Sequence, residues 1–241
     1  MPTPSPPKPI LVFLHGAGTS ASIFRLQSRR LAAQLSPHFD LVYLDAPHAC
    51  PAGPGVLPFF EGCGPYLRWV DDEAPERERA YWAEGEGGDV DRLVREVRGL
   101  GSSGGSGRRR VVGVVGFSQG AKVGMEVVRR LEGMGRMGEE EEGNGVDVKV
   151  VVAVCGTAPF QGGGDEREKG FRGSLEKGVV KAASVHLIGE DDPWRPESEK
   201  LVEFFDEARR KVIVFEGGHQ MPAAEWVNTQ AVRVVLDACG L

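Results

Sequence analysis

Six short apolar runs punctuate the chain: 10–14, 41–44, 111–115, 148–154, 184–188 and 211–215. Most are continuous rather than alternating, the pattern of parallel strands buried on both faces. Between them the apolar spacing changes to the three-and-four rhythm of helices. Phe24, Leu31 and Leu35 mark a first helix, with Thr19, Ser20 or Ser22 available to cap it. Leu93, Val94, Val97 and Leu100 mark a second over about 90–100, and a third follows residue 118 to about Leu131. A fourth is predicted over 196–209, and a terminal helix contains Trp226, Val232, Val235 and Leu236. Alternating strands and helices imply an α/β fold, an open and mostly parallel sheet with helices on both faces and right-handed crossovers. The 241 residues contain no internal repeat and fit one such domain over 9–241.

Several stretches break the rhythm. Residues 1–8 are proline-rich and read as a flexible tail without the apolar centre of a signal peptide. Flexible insertions are expected at about 101–110, where Gly and Ser dominate, and at 133–146, which contains the run Glu139–Glu142. Residues 161–178 are Gly- and charge-rich and read as irregular. Residues 49–88 carry Pro51, Pro54, Pro58 and Pro65 among several glycines, with the aromatics Phe59, Phe60, Tyr66, Trp69, Tyr81 and Trp82. A loop of that length in a compact domain is usually a lid or a binding wall. Its aromatics, together with Phe160, suit an apolar substrate pocket, although about half of such rings cement a loop to its body.

In open parallel sheets, reactive groups collect where strands end. The third apolar run passes directly into Gly116-Phe117-Ser118-Gln119-Gly120. A strand, a tight turn with serine at its tip and a following helix make up a nucleophile elbow. The fifth run ends at Gly189-Glu190-Asp191-Asp192-Pro193, and the sixth at Gly217-Gly218-His219. Serine scarcely ionises near neutrality, so it needs an imidazole to take its proton and a carboxylate to orient that imidazole. Ser118, one of Asp191 and Asp192, and His219 supply these groups in chain order. The first run ends in His15-Gly16-Ala17-Gly18, and His15 reads as a structural histidine holding that loop rather than as the base.

Composition narrows the classes further. A formal net charge of −6 gives no basic field for nucleic acid, and Arg108-Arg109-Arg110 reads as a solvated strand entrance. Four cysteines without C-x-x-C spacing, and no His/Cys cluster, leave no zinc motif and read as free thiols in a reducing compartment. No run is long enough to span a membrane. The expectation is a cytoplasmic enzyme without metal or other cofactor, acting apart from nucleic acid and membrane.

The order Ser…Asp…His is similar to that of α/β-hydrolases, and His15-Gly16-Ala17-Gly18 resembles their H-G-x-G loop. That likeness assigns the oxyanion hole to the Ala17 and Gln119 N–H groups. More specifically, Leu14–Gly18, Ile23-Phe24-Arg25, Asp45-Ala46-Pro47-His48, Gly53-Pro54-Gly55-Val56, Gly116–Gly120, Gly189-x-x-Asp192 and Gly217-Gly218-His219-x-x-Pro222 together resemble the serine hydrolase family known as FSH. The likeness runs from about Pro9 to Val235. It implies an α/β-hydrolase fold and an esterase or thioesterase, and its Gly-x-x-Asp spacing selects Asp192 over Asp191. Residue 192 also precedes Pro193, which biases it to an extended backbone. The stretch 54–66 is similar to the branch that includes fungal thioesterases releasing polyketides. The resemblance thus implies a small-molecule acyl ester or thioester as substrate and the acyl-carrier domain of a polyketide synthase as a candidate partner. Two alternatives stand beside it: a general short-chain carboxylesterase, and a hydrolase-fold ligand-binding protein with little turnover.

Overall fold

The computed structural model describes residues 7–70, 88–102, 109–136, 145–158 and 180–241. Phe160, Tyr81, Trp82, the acidic run 139–142, segment 161–178 and most of the Gly/Ser connection lie outside them. The strands are β1 (Ile10–Leu14), β2 (Asp40–Leu44), β3 (His48–Ala49), β4 (Leu67–Arg68), β5 (Val111–Phe117), β6 (Val146–Val154), β7 (Ala183–Gly189) and β8 (Arg210–Phe215). The helices are α1 (Ala21–Gln27), α2 (Arg29–Leu35), α3 (Asp89–Ser102), α4 (Gln119–Arg136), α5 (Arg195–Val202) and α6 (Glu225–Cys239).

Six strands form one sheet in the order β2-β1-β5-β6-β7-β8, with every neighbouring pair parallel. The chain passes from β1 to the β2 edge and then returns to place β5 on the other side of β1. That reversal leaves a crevice at the C-terminal ends of β1 and β5, where open α/β sheets bind ligands. Alternate residues of β1 feed two separate cores. Ile10, Val12 and Leu14 pack with Val94, Val97 and Val127 under α3 and α4. Leu11 and Phe13 pack with Phe24, Leu31, Val227 and Val235 under α1, α2 and α6. A strand buried on both faces must be apolar at every position, which is why its run is continuous. Among the described residues, no helix is long and apolar enough to cross a membrane.

Four boundaries differ from the expectation. The first helix is two helices, broken at buried Ser28, whose hydroxyl donates to Phe24 O at 2.7 Å and bonds the Tyr43 hydroxyl at 2.9 Å. The helix predicted over 196–209 stops at Val202, because Phe205 must extend to bridge Val180 while its side chain enters the core. Asp206 then caps a single 3-10 turn by accepting from Ala208 N–H at 3.0 Å. The helix after Ser118 continues past Leu131 to Arg136, and Arg130 ties it to Asp91 of α3. Gly101 and Ser102, expected in a linker, finish α3. Arg109 and Arg110 pair with Asp40 and Asp147, in keeping with a strand entrance.

His186 of β7 is fully buried, bonded to Ser184 Oγ at 3.0 Å and set edge-on against Phe205. Burial, helped by the Arg210 charge, pushes its pKa down from 6.5 to about 3. The folded protein therefore holds this ring neutral, while the unfolded chain takes up a proton below about pH 6.5. Stability contributed by the neutral ring is present above that pH and is lost as pH falls towards 3. Each pH unit in this window costs about 1.4 kcal/mol, so pH 5 is expected to cost about 2 kcal/mol relative to pH 7. Thermal melts of wild type and His186→Gln at pH 7 and pH 5 measure it. The wild-type Tm should fall by several degrees more than that of the variant, and equal falls would contradict the assignment.

Candidate active site

The elbow forms because Gly116 and Gly120 let three backbones meet. A Cβ on Gly116 would lie 2.5 Å from the Ala121 backbone, and one on Gly120 would strike the Leu14 and His15 carbonyl oxygens. The turn carries Ser118 at φ 53°, a conformation a non-glycine residue seldom adopts. Its backbone is held by Ser118 N–H to Val154 O at 2.9 Å and Ala121 N–H to Ser118 O at 3.0 Å.

Ser118 Oγ lies 2.8 Å from His219 Nε2, and His219 Nδ1 lies 2.8 Å from Asp192 Oδ2. A carboxylate only accepts, so the imidazole carries its proton on Nδ1 and turns the Nε2 lone pair to the serine hydroxyl. The other carboxylate oxygen, Asp192 Oδ1, accepts from Trp194 N–H at 2.8 Å. Asp192 is buried, whereas Asp191 is exposed and bonds through its backbone N–H to Gly217 O. Phe117 and Trp194 flank the imidazole, with ring centroids at 5.1 and 4.6 Å.

One supporting residue was not singled out in the sequence as part of the site. Cys155, at the end of β6, adopts φ 45° and is buried. Burial pushes its thiol pKa up to about 12, so it stays protonated. Its single S–H is shared between Gln220 O at 3.6 Å and Gly218 O at 3.8 Å, the carbonyls on either side of His219. Cys155, Asp192 and His219 have potential metal-ligating atoms within 4.8 Å of one another. In this arrangement those atoms are committed to protons and hydrogen bonds, and a cation would have to displace them.

The H-G-x-G loop is fixed from below by His15. Its Nε2 accepts from Ala46 N–H at 3.0 Å, so Nδ1 carries the proton and donates to Gly16 O at 2.8 Å. Burial lowers its pKa, and the ring is a neutral strut. From above, the short β3–β4 pair, absent from the sequence prediction, delivers Leu67 to Gly18 and Thr19, with Gly18 N–H to Leu67 O at 2.8 Å. The Gln119 side chain then clamps the next two residues. Its Oε1 accepts from Trp69 N–H at 2.7 Å and Val70 N–H at 3.1 Å, and its Nε2 donates to Val70 O. Ala17 and Gln119 both line the cleft that contains Ser118 and His219.

That cleft has a volume of about 600 Å³. Of the expected pocket aromatics, Phe60 lines it. Trp69 does not: it is 2% exposed, packs in the core and donates from its indole N–H to His15 O at 2.7 Å. Phe59 is 85% exposed and does not line the cleft, and Tyr66 braces the loop through its hydroxyl to Phe60 O. The apolar wall is built instead from Leu26, Val56, Phe60, Phe117, Trp194 and Met221. Gln27, Arg29, Arg30 and Thr157 make a polar wall.

Residues 5–231 match the family model described as serine hydrolase (FSH1). The chain belongs to this serine hydrolase family. Among its relatives, an esterase, FUS5, of Gibberella fujikuroi is 32% identical over 95% of this chain and 86% of its own length. A thioesterase, FSL2, of Gibberella zeae is 32% identical over 96% of this chain and 92% of its own. The dihydromonacolin L-[lovastatin nonaketide synthase] thioesterase of Aspergillus terreus is 28% identical over 88% and 85%. Among solved structures, esterase PE8 superposes with a TM-score of 0.59 at 21% identity, covering 95% of this chain and 94% of that one, and shares the α/β-hydrolase fold. This serine hydrolase is therefore an enzyme on the fold that the order of its strands and loops implied.

Proposed function

We propose that this serine hydrolase cleaves acyl esters and thioesters through an acyl-enzyme on Ser118. The observation that carries the reading is the unbroken chain from Asp192 through His219 to Ser118, both links 2.8 Å, opening into the cleft. Ser118 Oγ attacks the substrate carbonyl while His219 Nε2 takes the hydroxyl proton. Asp192 keeps the imidazole oriented and stabilises its positive charge. The negative oxygen of the tetrahedral intermediate is received by the Ala17 N–H in the loop after β1 and the Gln119 N–H at the start of α4. Collapse expels the thiol or alcohol, which leaves with the proton from His219. Water then adds to the acyl-enzyme with His219 again as base, releasing the carboxylic acid and restoring Ser118. A protein that only bound its ligand would have no use for an activated serine.

The substrate we infer has an apolar acyl chain and is held as a thioester on a carrier, such as the acyl-carrier domain of a polyketide synthase. The thioesterase named for lovastatin nonaketide synthase, 28% identical, supports this, as do the apolar walls at Val56, Phe60 and Met221. Each acyl CH₂ buried is worth about 0.8 kcal/mol, so four added carbons could raise kcat/KM up to about a hundredfold. Ordering the longer chain offsets part of that, and about tenfold is expected. A series of thioesters and p-nitrophenyl esters from two to twelve carbons tests it. A rise from acetyl to mid-length chains, with thioesters at least as fast as oxoesters, fits the reading. A steady fall from acetyl onward would make a short-chain carboxylesterase the better description.

A further inference from the structure

We propose that Arg29 and Arg30 form an anion subsite of the cleft and that it recognises a phosphate on the thiol arm of an acyl thioester. The inference rests on the esterase and thioesterase reading above and adds the chemistry of the leaving group. Its structural origin is the break at Ser28, which ends α1 and brings Gln27, Arg29 and Arg30 onto the wall of the cleft that holds Ser118 and His219.

Two independent observations mark that wall as a ligand surface. The chain has 35 acidic residues against 29 basic ones, and Arg92, Arg109, Arg130 and Arg195 each reach a carboxylate. Among the described residues, no carboxylate pairs with Arg29 or Arg30. Arg29 donates from Nη1 to Leu26 O at 3.1 Å, which leaves most of its guanidinium face uncommitted. Secondly, Gln27 Oε1 and Thr157 Oγ1 are buried without a hydrogen-bond partner, and both residues line the same cleft. Buried polar atoms are normally satisfied, and two orphan atoms on residues that line one cleft leave hydrogen-bonding capacity there for a polar ligand to take up once the side chains turn to it.

A neutral alkyl ester would use the apolar wall and leave both guanidinium groups and both orphan atoms as they are. A phosphopantetheine-type thioester uses all three sets. Its acyl chain lies on the apolar wall, with its carbonyl at Ser118. An amide N–H of the arm donates to Gln27 Oε1, and the Thr157 hydroxyl donates to an amide carbonyl. The phosphate then meets the two guanidinium groups, whose planar forks match its oxygens. In a protein with net charge −6, two adjacent arginines without a carboxylate partner among the described residues also supply positive charge to receive an anionic arm.

The test compares S-butanoyl-4′-phosphopantetheine with S-butanoylpantetheine, which differ only in the phosphate, at low ionic strength. Wild type should favour the phosphorylated substrate at least tenfold in kcat/KM, chiefly through KM. In Arg29→Gln/Arg30→Gln the ratio should fall towards one, and Arg29→Lys/Arg30→Lys should keep it clearly above one. Calorimetry of 4′-phosphopantetheine against pantetheine on Ser118→Ala reads the same preference without turnover, and circular dichroism melts check that each variant is folded. Equal kcat/KM for the two substrates on wild type and equal binding of the two thiols on Ser118→Ala would overturn the subsite while leaving ester and thioester hydrolysis standing. Failure of wild type to hydrolyse any ester or thioester would defeat the underlying reading, and the calorimetric comparison would still decide the subsite. A preference for p-nitrophenyl hemisuccinate over p-nitrophenyl butanoate, without any phosphate effect, would put the anion on the acyl side and also overturn the proposal.

Discussion

Ser118→Ala is expected to lower kcat/KM for p-nitrophenyl butanoate by about 10⁴-fold or more, with little change in stability. The substitution removes one oxygen whose hydrogen bond goes to His219, and the elbow backbone is held by bonds that do not involve the side chain. What remains is an intact cleft with the proposed oxyanion donors, but no serine oxygen to form the acyl-enzyme. Substrate binding should therefore persist, so the loss should fall on kcat far more than on KM. A variant with a substantially raised KM and a near-normal kcat would mean that the hydroxyl binds rather than reacts.

Asp192→Asn should cost about 10³–10⁴-fold in kcat, and Asp191→Asn should cost little. The two side chains are sequence neighbours of identical chemistry, so the comparison isolates position. Asp192 is buried with both oxygens engaged, one by His219 Nδ1 and one by Trp194 N–H. An amide there can present its oxygen to only one of these donors, and turning its NH₂ to His219 would favour the wrong tautomer. Neither arrangement stabilises the imidazolium that forms when the serine proton moves. Asp191 is exposed, and its described bond is a backbone one that the substitution leaves in place. A larger loss in Asp191→Asn would reverse the assignment.

The contrast between these neighbours shows what the sequence could and could not disclose. Asp192 was selectable because Pro193 follows it, a local signal, and because its Gly-x-x-Asp spacing from Gly189 is that of the family the chain resembles. Ser118 and His219 were legible for a similar reason: each sits just beyond a continuous apolar run, and such runs end where parallel sheets place their chemistry. Contacts between distant segments were not legible. The helix break at Ser28 depends on Tyr43, and the clamp made by the Gln119 side chain depends on Trp69 and Val70, some fifty positions away. The aromatic loop was legible only in part, at Phe60, for the same cause. Composition singled out Phe59, Phe60, Tyr66 and Trp69 alike, but Trp69, next to the two-residue strand β4, packs in the core, and Phe59 lies in solvent. Cys155 carried no signal at all, since its role arises from a strained turn meeting the carbonyls beside His219.

The most direct test of the account is to catch the covalent intermediate. Wild-type enzyme turning over p-nitrophenyl butanoate is quenched in acid within milliseconds, digested and analysed by mass spectrometry. The account predicts a p-nitrophenol burst stoichiometric with enzyme and a butanoyl group on the peptide containing Ser118, at that residue and no other. Full turnover with the acyl group on a different side chain, or undiminished hydrolysis by Ser118→Ala, would contradict it.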